Sequence, residues 1–204
     1  MRNLLFLIIC CFFVLTNALF AQWDVSYWHR NAMGAKSEIP WVTRIDPKSF
    51  GTIDVRYNYD WNRSGGVYFG KAFKIKDTGW TFVPEVGTII GEYDGFGPEL
   101  LLIGSHGKWS HFSQWQWVSS FNTNKNPDWG YIWIEELRKT PIPHTEIGIG
   151  AQTFYLRGDS RPQTDLGIAT RFTFGKLYIK IWPTWGIQKN KRKPTNYIGI
   201  GYAW

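Results

Sequence analysis

His111 and Ser113 stand two residues apart, the spacing that puts a base and a hydroxyl nucleophile on one face when the backbone is extended. Glu135 and Glu136 are acids that could orient such a histidine, but neighbours on a strand point to opposite faces, so the two cannot act as one carboxylate dyad by adjacency. Nothing in the sequence itself brings either acid to His111. A serine two residues from a histidine is also what an ordinary polar stretch beside a turn looks like, and this plainer reading is preferred. His29, His106, His111 and His144 are scattered, and both cysteines, Cys10 and Cys11, fall in the N-terminal apolar run, so no metal site and no cofactor is expected. Gly148, Gly150, Gly199 and Gly201 recur at strand spacing rather than in a phosphate-binding loop.

The elements that would position these residues show themselves as alternation. From Thr52 to Trp61 the residues Ile53, Val55, Tyr57, Tyr59 and Trp61 alternate with Thr52, Asp54, Arg56, Asn58 and Asp60, a strict two-residue period. The pattern returns in the last third of the chain. There Leu166, Ile168, Thr170, Phe172 and Phe174 alternate with Asp165, Gly167, Ala169, Arg171 and Thr173, and Leu177, Ile179, Ile181 and Trp185 with Tyr178, Lys180, Trp182 and Thr184. Further strands are expected around 67–75, 80–93, 96–105, 109–121, 130–137 and 146–156. Together they make about ten strands of the length a tilted membrane-crossing strand needs. Residues 23–30 and 39–46 would raise the count to about twelve, although Pro40 interrupts the second of them.

The N-terminus suggests the compartment. Arg2 precedes an apolar run from Leu4 to Thr16, and Ala18 and Ala21 are small residues placed for cleavage, so residues 1–21 read as a secretory signal peptide. The mature chain would carry 22 basic and 16 acidic residues, one Arg fewer than the whole, a surplus of +6. Beyond residue 21 no apolar run reaches helical spanning length and the mean hydropathy is −0.28, which argues against an α-helical membrane protein. Residues 22–50 are expected to form an N-terminal segment or an extra hairpin, and residues 51–204 a barrel.

The connections support a membrane meander. Phe174-Gly175-Lys176-Leu177 and Lys76-Asp77-Thr78-Gly79 are tight, whereas 60–66, 122–128, 157–163 and 189–195 are longer and polar. The ending Tyr197-Ile198-Gly199-Ile200-Gly201-Tyr202-Ala203-Trp204, with Ile198, Ile200, Tyr202 and Trp204 on one face, is similar to the C-terminal insertion signal of small bacterial outer-membrane β-barrel proteins. The resemblance is one of pattern over residues 51–204 and identifies no specific family. It implies an all-β, antiparallel, up-and-down transmembrane barrel in the outer membrane of a Gram-negative bacterium, with outer-membrane lipid and the barrel-assembly machinery as partners. Trp204 departs from the usual terminal Phe. The rival is a soluble periplasmic or secreted β-barrel binding protein with its apolar face turned inward.

With the apolar face against lipid, Asp54, Arg56, Lys74, Glu85, Gln114, Gln116, Glu146, Gln152, Asp165, Arg171 and Lys180 would face the lumen. Pairing about the Gly175-Lys176 turn places Arg171 near Lys180, with Glu146 diagonally close, and this charged cluster reads first as structural packing. The basic residues Lys189, Lys191, Arg192 and Lys193 would occupy an outer loop, solvated or paired with lipopolysaccharide phosphates. A nucleic-acid partner is not expected of an exported chain, despite an isoelectric point near 9.4, and the sequence sets no oligomeric state. His111-Phe112-Ser113 resembles the His-x-Ser pair of outer-membrane lipid A deacylases, which implies a lipid-modifying enzyme as an alternative, yet Gln114-Trp115 departs from the residues that usually follow that pair. The expected function is non-enzymatic: a small channel for solute passage, or a structural barrel.

Overall fold

A computed structural model of the chain describes residues 22–32, 35–45, 51–58, 64–158, 162–187 and 194–203. Residues 1–21, expected to direct export, the basic run 189–193 and Trp204 lie outside the described residues. All regular structure among them is β: β1 (Gln22–Ala32), β2 (Ala35–Ile45), β3 (Thr52–Asn58), β4 (Ser64–Gly70), β5 (Phe73–Ile75), β6 (Trp80–Ile90), β7 (Gly95–His106), β8 (Trp109–Ser120), β9 (Trp129–Lys139), β10 (Thr145–Leu156), β11 (Gln163–Phe174), β12 (Leu177–Gly186) and β13 (Pro194–Ala203).

Each strand pairs antiparallel with its sequence neighbour except β4 and β5, which both pair with β6, and β1 meets β13, so among the described residues the ladder returns on itself. β5 continues β4 along the same partner, β6, after a break at Lys71 and Ala72. The thirteen segments therefore make a twelve-strand, up-and-down wall. The hairpin of β1 and β2 belongs to this wall, with Pro40 opposite Tyr27.

Three further prolines fall inside strands, and each sits where the ladder is intact on one side and interrupted on the other. Pro84 continues β6–β7 but lies at the β4–β5 break; Pro98 continues β6–β7 but lies in a gap of β7–β8; Pro183 continues β12–β13 but lies in a gap of β11–β12. A residue without N–H is tolerated there because no ladder bond is asked of it. A glycine faces two of these interruptions. An added Cβ at Gly70 would stand 2.1 Å from the Pro84 carbonyl oxygen, and one at Gly167 1.9 Å from that of Pro183. Only a residue without a side-chain carbon lets the backbones approach so closely.

Alternation sorts the side chains into two faces. The outward face exposes Ile147, Ile149, Leu166, Ile168, Ile181, Ile198 and Ile200 at mid-height. Aromatics flank this apolar band. Trp109, Phe73, Phe174 and Tyr202 lie toward the tight-turn end, and Phe96, Trp117, Tyr155 and Trp185 toward the loop end. Trp117 and Tyr155 meet across Gly130, which pairs with both, their ring centroids 6.2 Å apart. An apolar belt between aromatic girdles is the surface a lipid bilayer selects.

Candidate functional site

The interior of the ring holds the polar and charged set. Asp54, Arg56, Glu85, Gln114, Gln116, Glu146, Asp165 and Lys180 are buried there, whereas Lys74 is exposed on β5. Sequence reasoning missed Glu99, and it offered Glu135 as an acid for His111 where the structure pairs it with Lys180. Both are buried on the inner face, where Arg56 Nη2 donates to Glu99 at 2.5 Å and Lys180 Nζ donates to Glu135 at 2.8 Å.

The charges form three groups instead of one cluster. In the first, Arg56 bridges Asp54, at 2.9 Å from Nε, and Glu99, which also accepts from Gln114 Nε2 at 2.8 Å; the Arg56 guanidinium lies 5.0 Å from the centre of the Tyr68 ring. The second is Lys180 with Glu135, with the ammonium 5.8 Å from the Trp133 ring centre. The third is Arg171 with Glu146, from which Arg171 also reaches Ser110 Oγ at 3.2 Å. Arg171 does register with Lys180, but Glu146 lies directly opposite Arg171, not on the diagonal. Each cation faces an anion because a desolvated charge without a partner is costly.

Carboxylate oxygens of Asp54, Glu85 and Glu99, one from each, lie within 4.8 Å of one another. They come from β3, β6 and β7, which no sequence spacing could have connected.

Aromatics are not confined to the outward face. Trp133 stacks on Trp182 with centroids 5.7 Å apart and planes 9° from parallel, Trp182 stacks on Tyr197 at 4.7 Å, and Phe112 meets Trp133 edge-on. Gly150 makes room, since a Cβ there would come within 2.8 Å of the Trp182 ring. Beside the stack Tyr197 Oη donates to Asp165 at 3.0 Å, Gln152 Nε2 donates to Asp165 at 2.9 Å, and Tyr131 Oη donates to Gln152 Oε1 at 2.9 Å. At the loop end Tyr68, Ile89, Tyr93, Val118 and Trp129 form a second buried apolar group.

His111 and Ser113 lie on the outward face, sharing the parity of Trp115 and Trp117. Glu136, opposite His111 in the β8–β9 ladder, is the acid that reaches it: His111 Nδ1 is 2.5 Å from Glu136 Oε1 and His111 Nε2 is 3.1 Å from Ser113 Oγ. Trp80 covers the imidazole, ring centroids 5.1 Å apart. The connectivity is that of an acid–base–hydroxyl relay. The hydroxyl is not open to an approaching ester, since Ser113 is only 2% exposed. Chemically the arrangement also does something simpler: it satisfies three polar side chains that would otherwise meet lipid alone.

Ile198, Ile200 and Tyr202 are exposed on the outward face of β13, with Gly199 and Gly201 inward.

No protein-family model matches the chain, and no curated protein sequence matches it. Solved structures do. The chain is similar to the KdgM porin in complex with disordered oligogalacturonate, with a TM-score of 0.63 at 10% identity over 89% of this chain and 99% of that one. It is also similar to the NanC porin, with a TM-score of 0.60 at 13% identity over 88% and 98%, and to the Acinetobacter baumannii outer membrane protein Omp33, with a TM-score of 0.50 at 10% identity over 92% and 100%. At these identities the likeness shows the fold: an all-β, up-and-down barrel of the outer-membrane porin type.

Proposed function

We propose that this chain is an integral outer-membrane barrel that passes small polar solutes through a narrow, charged and aromatic-lined lumen. The observation that carries the reading is the division of the ring into an apolar, aromatic-girdled outside and an inside holding Arg56, Glu99, Glu135, Lys180, Glu146 and Arg171. The shared fold with the KdgM and NanC porins supports it. In this reading residues 1–21 direct export, the tight turns face the periplasm, and the longer connections face outside. The barrel-assembly machinery reads the ending with Ile198, Ile200, Tyr202 and Trp204, and Lys189, Lys191, Arg192 and Lys193 meet lipopolysaccharide phosphates. The test is planar-bilayer recording on barrels shown to be folded by heat-modifiable gel migration. Stepwise currents are expected, and a folded barrel that carries none at any voltage would overturn the reading.

One observation favours a second reading, hydrolysis of a lipid acyl ester: the Ser113–His111–Glu136 relay on the lipid-facing side, near the tight-turn end where headgroups would lie. There His111 would take the Ser113 proton as the hydroxyl attacks the ester carbonyl and return it to the alcohol oxygen as that bond breaks; water, activated by His111, would then release the fatty acid and restore Ser113, with Glu136 holding the imidazole throughout. It requires the side chains around Ser113 to part.

A further inference from the structure

Midway along the barrel wall three carboxylates converge. Glu85 is the sixth residue of β6 and Glu99 the fifth of β7, and Asp54 comes from β3. Arg56 is bonded to this group, donating to Asp54 and to Glu99, and all four side chains are buried.

Glu85 marks what is lacking. It is 5% exposed, and neither of its carboxylate oxygens makes a hydrogen bond. The Thr52 hydroxyl, fully buried, makes none either. Thr52 pairs with Gly70 and Gly70 with Glu85, so the two unsatisfied groups stand on the inner face with only a glycine between them. A desolvated, unpaired carboxylate beside two others needs either a proton or a cation. A proton would satisfy one Glu85 oxygen and leave the other bare. A divalent ion can draw an oxygen from each of the three acids, which already lie within 4.8 Å of one another.

We propose that Asp54, Glu85 and Glu99 bind a divalent cation, with Arg56 holding Asp54 and Glu99 in place beside it. The donors are all hard oxygens, with no imidazole or thiolate among them, which excludes the softer transition metals as preferred occupants. A cage of several carboxylates drawn from separate strands suits Ca2+, which accepts irregular oxygen shells, better than Mg2+, which demands near-octahedral geometry and retains its water. The expectation of no metal rested on histidine and cysteine spacing. These acids are 31 and 14 residues apart and meet only because β4 pairs with β6 to close the ring. The site stands whether or not the lumen conducts.

The test uses the full-length barrel refolded in detergent micelles and stripped with a chelator. Terbium(III), a Ca2+ surrogate excited through nearby aromatics such as Tyr68, is titrated in, then competed with Ca2+. Saturable emission at one ion per barrel, displaced by Ca2+ and weakened about tenfold or more in Glu85→Gln, is expected, because affinity follows the number of charged ligands. Absence of saturable emission, or equal binding by wild type and Glu85→Gln, overturns the proposal. If Glu85→Gln fails to fold, the wild type decides alone: Ca2+ raises its unfolding temperature over the chelated state, and an unchanged temperature overturns the site.

Discussion

Arg171 stands directly opposite Glu146 in the β10–β11 ladder, and its Nε donates to the Glu146 carboxylate across 2.5 Å. Both lie inside the ring near the tight-turn end, where Glu146 is buried and Arg171 reaches over to Ser110 on β8. A pair so placed ties three strands together through one guanidinium.

Glu146→Gln should therefore destabilise the barrel by about 3 kcal/mol, because the neutral amide leaves a largely desolvated guanidinium uncompensated. The double variant Glu146→Gln/Arg171→Gln should lose less than the single one. Urea unfolding in micelles followed by tryptophan fluorescence measures both. A double variant that loses the sum of the two singles would show that the residues do not act as a pair.

Trp182→Ala removes the middle of the Trp133–Trp182–Tyr197 stack. The expected cost is about 3–5 kcal/mol from lost burial and the cavity left behind. In planar bilayers the same substitution should raise single-channel conductance, since Trp182 projects inward where Gly150 leaves it room. Conductance at or below the wild-type level in folded barrels would place the passage elsewhere.

Asp128 anchors the loop that precedes β9. Its carboxylate accepts from the Ser120 backbone amide at 2.9 Å and from Arg157 Nη1 at 2.9 Å, and these bonds, the backbone one first, hold its pKa below the ordinary aspartate value. The folded form is thus the stronger acid, so the anchoring is fully present above the unfolded aspartate pKa of about 3.9 and is lost as pH falls through the lower folded value. Protection of the amides of residues 121–128, measured as exchange relative to the intrinsic rate at each pH, should fall with acidification in the wild type. Asp128→Asn should show low protection already at neutral pH and no such acid step.

Ser113→Ala separates relay chemistry from interfacial packing. With passage as the function, the variant assembles normally and releases fatty acid from mixed phospholipid and lipopolysaccharide micelles at the background rate of the wild type. Fatty-acid release by the wild type that disappears in Ser113→Ala and His111→Ala, with heat-modifiable migration intact, would establish the hydrolytic reading instead.

Much of this wall is legible in the chain, and the gaps have physical causes. β3 and β11–β13 announce themselves because small or polar residues strictly alternate with apolar ones. β7 does not, since Leu100-Leu101-Leu102-Ile103 is apolar on both faces and hides the inward Glu99. The tight turn at Gly175, whose φ of 63° suits a residue without Cβ, fixes the pairing of Arg171 with Lys180. His111 and Glu136 are 25 residues apart across an eight-residue connection, 121–128, whose geometry sets the register, so their meeting is visible only in three dimensions. The alternation sets Trp182 on the inner face, but its stacking between Trp133 and Tyr197 joins three strands and shows only in three dimensions, where Gly150 leaves it room.

The aromatic girdles carry a consequence for the bilayer itself. Trp109 and Trp117 lie on the same face of β8, eight residues apart, one in each girdle. At a rise of about 3.3 Å per residue and a strand tilt of about 40°, they are separated by roughly 20 Å along the membrane normal. A barrel with so short a waist is matched to a thin membrane. Placed in long-chain lipids it must draw the surrounding leaflets inward, at a cost that grows with each ångström of mismatch, so reconstitution should proceed most readily in short-chain vesicles.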